Sequence, residues 1–209
     1  MTIGPGRETV LATLAVAVLL GLGEALAAMG PWPAQLGGLL VAVGFVGVPI
    51  AVARWRGVAG DVLAVDPPLG RSALAGVAVA SVVLPLYALG FDLWQIHVLG
   101  RERAWPITLA PWPWFEAAVV QLGAVALPEE LFFRGYVLGR LRPRWPGGVR
   151  LLGACIGWPH VLSAALFALI HLVAVAAPFR LLVFFPGLLF AWTAQRTGSA
   201  LSAAVLHAL

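Results

Sequence analysis

The chain has 209 residues, of which 61% are hydrophobic and only 11% charged, and its mean hydropathy is +0.96. A soluble domain usually carries about 25% charge, and the 24 Gly and 16 Pro here punctuate long apolar runs rather than a polar coil. This excludes a disordered protein, a nucleic-acid-binding domain and an ordinary cytosolic enzyme. A transmembrane helix needs roughly 20 mostly apolar residues, so the expectation is an all-α, polytopic transmembrane bundle of about seven spans. It forms one membrane domain over residues 1–209, with the lipid bilayer as its surroundings.

The apolar segments follow in chain order. Val10–Met29 is the first, with the turn Gly30-Pro31-Trp32-Pro33 behind it, and Ala34–Ala53 returns to Arg54-Trp55-Arg56. Ala25-Leu26-Ala27 resembles a signal-peptide cleavage site, but Glu24 and the spans that follow argue for a retained helix. A polar loop with Asp61, Asp66 and Pro67-Pro68 leads to the third segment, Ser72–Phe91. Asp92–Trp112 reads as a loop whose Trp94, Trp105 and Trp112, with Trp114 beyond, suit the headgroup belt. The fourth segment runs from near Pro113 through Glu129-Glu130 to about Leu141. Pro159–Ala177, Phe179–Ala194 and the short Ser199–Leu209 complete the set.

All 13 basic residues are Arg, set against nine acids for a net charge of +4. In a membrane chain that excess reads as topological. With the N-terminus inside, Arg7, Arg54, Arg56, Arg71, Arg140, Arg142, Arg144, Arg150 and Arg196 lie on the inner side. Arg101, Arg103 and Arg180 lie on the outer side. Nine against three follows the positive-inside rule and predicts a cytoplasmic N-terminus.

Ionisable groups at apolar depth are costly and each is a site hypothesis. The densest group is Glu129-Glu130-Leu131-Phe132-Phe133-Arg134. On a helix Glu130 and Arg134 are i,i+4 with the acid N-terminal, the favourable order for an ion pair. Glu129 lies about 100° around the helix, which leaves it a free carboxylate able to act as a base. Pro128 removes one backbone bond and predicts a kink. The group reads equally well as a structural ion-pair cluster. His171 ends Phe167-Ala168-Leu169-Ile170-His171, and His207 follows Ala203-Ala204-Val205-Leu206. Each alone reads as a packed core group. Together, three segments bring proton-transfer or ligand groups to a dry interior, which suits water activation by Glu and His or through a bound metal.

The motifs Glu-Glu-x-x-x-Arg at Glu129–Arg134, Phe-x-x-x-His at Phe167–His171 and the final His207 resemble the CPBP family of intramembrane proteases. That family includes CAAX prenyl proteases and bacteriocin-processing and immunity-type proteins. Arg196-Thr197-Gly198-Ser199 and Phe185-Pro186-Gly187 add to the likeness, which covers residues 113–209. The resemblance implies an endopeptidase, glutamic or metallo in type. It would cut a peptide bond near the membrane-associated end of a protein or peptide substrate. By the same resemblance Glu129 and His171 activate water and His207 polarises the scissile carbonyl, while Glu130 and Arg134 support them. Zinc is an option, with Glu129, His171 and His207 as its ligands. The family commonly carries an Asn four residues after the last His. This sequence has no Asn and ends at Leu209, so the expectation is a shortened end or a three-residue site.

Other readings stand beside this one. His160, eleven residues before His171, shares its helical face and is a second ligand candidate. Glu24 pairs with an Arg or lines a cavity, and His97 is a solvated loop residue. Cys155 with His160 suggests a sorting transpeptidase. A non-proteolytic immunity or scaffold protein would need none of these groups for chemistry. The Arg-only, Ala/Gly-rich composition suggests a GC-rich bacterium and its inner membrane, with a membrane-anchored protein or peptide as partner.

Overall fold

The computed structural model describes residues 4–57, 64, 68–98, 100–101 and 111–209, the last with side chains from residue 113 onward. The expected turn features at Asp61, Asp66 and Pro67, the belt residue Trp105, the side chain of Trp112 and the outer Arg103 lie outside this set. The described chain is helical apart from one short hairpin.

Helix α1, Pro5–Ala27, starts with proline at its first turn, where no backbone donor is lost. Gly30 at φ +125° turns the chain into α2, Pro31–Trp55. The two helices cross at glycines. A Cβ on Gly37 would sit 2.6 Å from the Gly23 carbonyl oxygen, so only glycine permits this approach. Lipid is as apolar as a protein core, so helix association rests on such close packing and on polar ties rather than on the hydrophobic effect.

Helix α3, Leu69–His97, runs six residues past the expected boundary at Phe91. Tyr87, Phe91 and Trp94 stack along one face at 6.1 and 6.0 Å, which carries the helix through the segment read as loop. His97 is therefore in its last turn, and exposed.

Helix α4 spans residues 111–141 without a break but is not uniform. Two π-helical stretches, Gln121–Ala126 and Leu131–Val137, flank the α-helical turn Leu127–Glu130. Pro128 comes two residues after the end of the first, next to Leu127, whose N–H reaches back to the Leu122 carbonyl. The expected local disturbance at Pro128 thus takes the form of widened turns, a feature common at functional sites.

The basic loop after α4 contains an unanticipated hairpin, β1 Val149–Leu151 and β2 Ala154–Ile156, paired Val149 with Ile156. Leu152 and Gly153 both have positive φ, 46° and 88°, as a two-residue primed turn requires. Trp192 Nε1 donates to the Leu151 carbonyl at 3.0 Å and pins the hairpin. Helices α5 (Trp158–Ala174), α6 (Phe184–Thr197) and α7 (Ala200–Ala208) follow.

Among the described residues three helices, α1, α2 and α3, are long and apolar enough to cross a membrane. Helices α5, α6 and α7, with 17, 14 and 9 residues, are each shorter than a usual crossing. The core lies where α4, α5, α6 and α7 meet. Phe132, Phe133, Tyr136, Phe167 and Leu206 are buried there, joined by Val16 and Phe45 from the first two helices. Outward faces of α1–α3 expose Val18, Leu39 and Leu74 to lipid.

Candidate active site

The second π-stretch of α4 is buried at every residue, and it carries Arg134. Glu130, one turn earlier, is fully buried. Its Oε2 lies 3.0 Å from Arg134 Nε, an ion pair whose angle falls outside a hydrogen bond. Arg134 Nη2 donates to the Gly187 carbonyl on α6 at 2.8 Å. The guanidinium sits 4.4 Å from the Phe167 ring centre and 5.4 Å from that of Phe190, where ring quadrupoles replace lost water. A Cβ at Gly187 would come within 3.2 Å of the Phe167 ring, so glycine there lets α6 close on the pair.

The other Glu130 oxygen, Oε1, is 3.0 Å from His207 Nδ1. A carboxylate only accepts, so Nδ1 carries the proton. The His207 ring stacks on Phe190 at 4.8 Å and meets Phe167 edge-on at 5.8 Å. His171 packs on the same aromatic group, its ring centre 4.4 Å from that of Phe167. Its Nδ1 is 2.8 Å from the Phe167 carbonyl, one turn back on α5, and must donate to it. Each histidine therefore spends Nδ1–H on a fixed acceptor and leaves Nε2 for chemistry.

Glu129 points elsewhere. Its Oε2 is buried without a hydrogen-bond partner, while Glu130, Arg134 and His207 lie within electrostatic range. The side chain lines a cleft of ≈ 360 Å³ between α1, α2 and α4. Small residues form its walls, Gly23 and Ala27 from α1 and Ala34, Gly37 and Gly38 from α2, and Glu24 shares it.

Among the described residues no three His, Cys, Asp or Glu side chains are grouped to hold a metal ion. Both oxygens of Glu130 are engaged, and of the two adjacent glutamates it is Glu129 that keeps a free oxygen. With Glu130 committed to Arg134 and His207, the donors grouped among the described residues do not make up a zinc ligand set.

The remaining candidates separate from this group. His160, at the start of α5, lines a different cavity with Cys155, Arg142 and Gln195. Cys155 is a free thiol in β2. One polar cluster escapes local sequence reasoning. Buried Glu8 of α1 accepts from Tyr136 Oη at 3.0 Å and from Arg140 Nε at 2.9 Å, and it pairs with Arg56 of α2. The partners stand 48 to 132 positions from Glu8, and Arg56 and Arg140 read in sequence as loop charges. Glu8 itself precedes the first apolar segment, beside Arg7, so nothing local marked it for burial.

Residues 110–209 match the family model of the type II CAAX prenyl endopeptidases described as Rce1-like. No curated protein and no solved structure matches the chain. The matched segment contains Glu129, Glu130, Arg134, His171 and His207 together, and it is similar to the membrane proteases of the CPBP/CAAX family.

Proposed function

We propose that this protein is an intramembrane endopeptidase in which Glu129 is the general base. One observation carries the reading. Of two adjacent carboxylates, Glu130 is spent on Arg134 and His207, while Glu129 keeps a buried free oxygen at a cleft wall. In the proposed step Glu129, assisted by Nε2 of His171, takes a proton from water. The water oxygen bonds to the scissile carbonyl carbon, and the carbonyl electron pair moves onto oxygen. His207, protonated at Nε2 and balanced by Glu130, donates to that oxyanion, a role worth several kcal/mol in a water-poor site. The oxyanion pair then re-forms the carbonyl as the C–N bond breaks with its electrons going to nitrogen, and Glu129 returns the proton to that nitrogen, leaving a carboxylic acid and an amine. With Glu129 and Glu130 ionised against Arg134 and a protonated His207, the formal charge of the group is zero, as apolar depth demands.

The substrate in this reading is a membrane-anchored protein or peptide, and its extended segment reaches Glu129 along the cleft of small residues. An extended strand presents side chains alternately to two sides, and glycine-lined walls leave room for its backbone. The test compares termini of membrane proteins by mass spectrometry in cells carrying wild type or Glu129→Gln. Substrates that stay uncut only in the variant support the reading. Unchanged termini in a stably produced variant overturn it.

A further inference from the structure

The cleft that ends at Glu129 carries a second acid, and the hydrolytic step makes no use of it. The lining holds two carboxylates, Glu24 and Glu129, and no basic residue among those described. Glu129 Oε2 is buried and unbonded there. The Glu24 side chain has neither an ion pair nor a hydrogen bond among the described residues. It stands in the last turn of α1, where its carbonyl accepts from the Ala28 N–H at 3.1 Å, and that turn holds no basic residue. A helix C-terminus is the negative pole of the dipole, so an acid there is disfavoured. An ionisable group kept at such a place in a membrane helix points to function, with its partner brought from elsewhere.

Depth along the cleft orders the two acids. Ala27 and Ala34 adjoin the turn at Gly30, and Glu24 and Ala27 are exposed, so this end is the mouth. Trp32, at the start of α2, is 77% exposed, as suits a residue at headgroup level. Leu20 and the buried Phe45 line the other end. Phe45 packs edge-on against Phe132, one turn beyond Glu129 on α4, with ring centres 5.6 Å apart, which puts Glu129 at the deep end. Glu24 is one turn of α1 nearer the mouth than Leu20, about 6 Å along the axis. An extended chain covers that distance in about two residues.

Charge identifies what the second acid receives. Glu129, Glu130, Arg134 and His207 close at zero in the hydrolytic step, so Glu24 leaves the cleft with one negative charge in excess. Lys and Arg lay their stems along apolar surface while the charged head stays at the interface, which suits a mouth walled by alanine and glycine. We propose that Glu24 is a specificity-determining residue that pairs with a Lys or Arg of the substrate, about two or three positions from the cleaved bond on the mouth side. The position relative to the cut rests on the endopeptidase reading, whereas recognition of the cation does not.

The test has a binding arm and a cleavage arm, both on the full chain in phosphatidylcholine nanodiscs. The binding probe is an N-acylated Ala/Gly peptide with one Arg, compared with twins carrying Gln or Glu instead, on a Glu129→Gln background. The Arg peptide is expected to bind about tenfold more tightly than its Gln twin. Adding Glu24→Gln should erase the difference, and Glu24→Arg should reverse it in favour of the Glu twin, which a merely structural role would not do. Glu116→Gln, an exposed acid of α4 outside the cleft, should change the preference less than about twofold. Equal affinity for the Arg and Gln twins, or a preference that survives Glu24→Gln, would overturn Glu24 as the site. In the cleavage arm, the chain with Glu129 intact meets acylated peptides of randomised sequence, and mass spectrometry reads the cuts. Basic residues should be enriched on one side of the cut only where Glu24 is kept. Cation-selective binding without any cut would sink the endopeptidase reading and leave Glu24 standing. Cuts that need Glu129 but show no basic enrichment would do the opposite.

Discussion

Glu130 Oε1 and His207 Nδ1 stand 3.0 Å apart across 77 positions of sequence, and the same carboxylate meets Arg134 Nε at 3.0 Å through its other oxygen. One buried acid thus fixes a histidine of the last helix and a cation of its own. This sharing divides the labour of the adjacent glutamates and sets up the following expectations.

Glu129→Gln should lower the rate of substrate cleavage by about 10²–10⁴, the usual contribution of a general base. The variant should elute as the wild type does in detergent, because Glu129 Oε2 has no partner to lose. Single-turnover cleavage of a processed membrane protein measures the first, and size-exclusion chromatography the second.

Glu130→Gln should do something different. It strands Arg134 in a buried, aromatic-lined position, and breaking such a pair typically costs about 3–5 kcal/mol. The melting temperature should drop clearly below that of Glu129→Gln. Adding Arg134→Met should recover much of the stability and none of the activity. A double variant no more stable than Glu130→Gln alone would argue that the ion pair is not the cause.

Two neighbouring glycines in α2 give a steric test of the substrate route. A Cβ at Gly38 meets nothing within 4 Å, so Gly38→Leu should fill the cleft, leave the melting temperature within a degree or two, and reduce kcat/KM at least tenfold. Gly37→Leu meets the Gly23 carbonyl and should instead destabilise the α1–α2 crossing. Substrate titration beside thermal melts separates the two effects. Undiminished kcat/KM in Gly38→Leu would exclude this route.

Glu8 ties the first two helices to α4 through Arg56, Tyr136 and Arg140. Glu8→Gln keeps the shape but loses the charge, and should cost about 1–3 kcal/mol. Because Tyr136 lies in the π-stretch that carries Arg134, some activity should be lost with it. Limited proteolysis of the α1–α2 hairpin would show whether those helices loosen first.

Cleavage should survive exhaustive treatment with a metal chelator. The donor set around Glu129 lacks a third free ligand among the described residues. Loss of activity on chelation, with recovery by zinc, would assign the water to a metal instead.

Some of this was legible in the chain itself. An apolar content this high forces a membrane helix bundle whatever the details, since no soluble core could use it. The i,i+4 spacing of Glu130 and Arg134 sets a pair that any helix would bring together, because that geometry is local. Length and hydropathy located α1 and α2 to within a few residues. They missed the last turns of α3, where aromatic stacking continues the helix past a polar Asp92. The hairpin at 149–156 escaped because six strand residues carry too little periodicity to read.

What the sequence by itself determined is the membrane setting, the family likeness and the roster of ionisable groups held at apolar depth. Which of them meet was decided by the tertiary structure. Glu130 was readable as the partner of Arg134, but its second bond, to His207, depends on α7 folding back beside α4. The joining of Glu8 to Arg140 likewise needs α1 packed against α4. The physical reason is the same in each case. Helical spacing fixes neighbours three and four residues apart, whereas contacts across 77 or 132 positions depend on how close-packed helices leave each buried polar atom either satisfied or open.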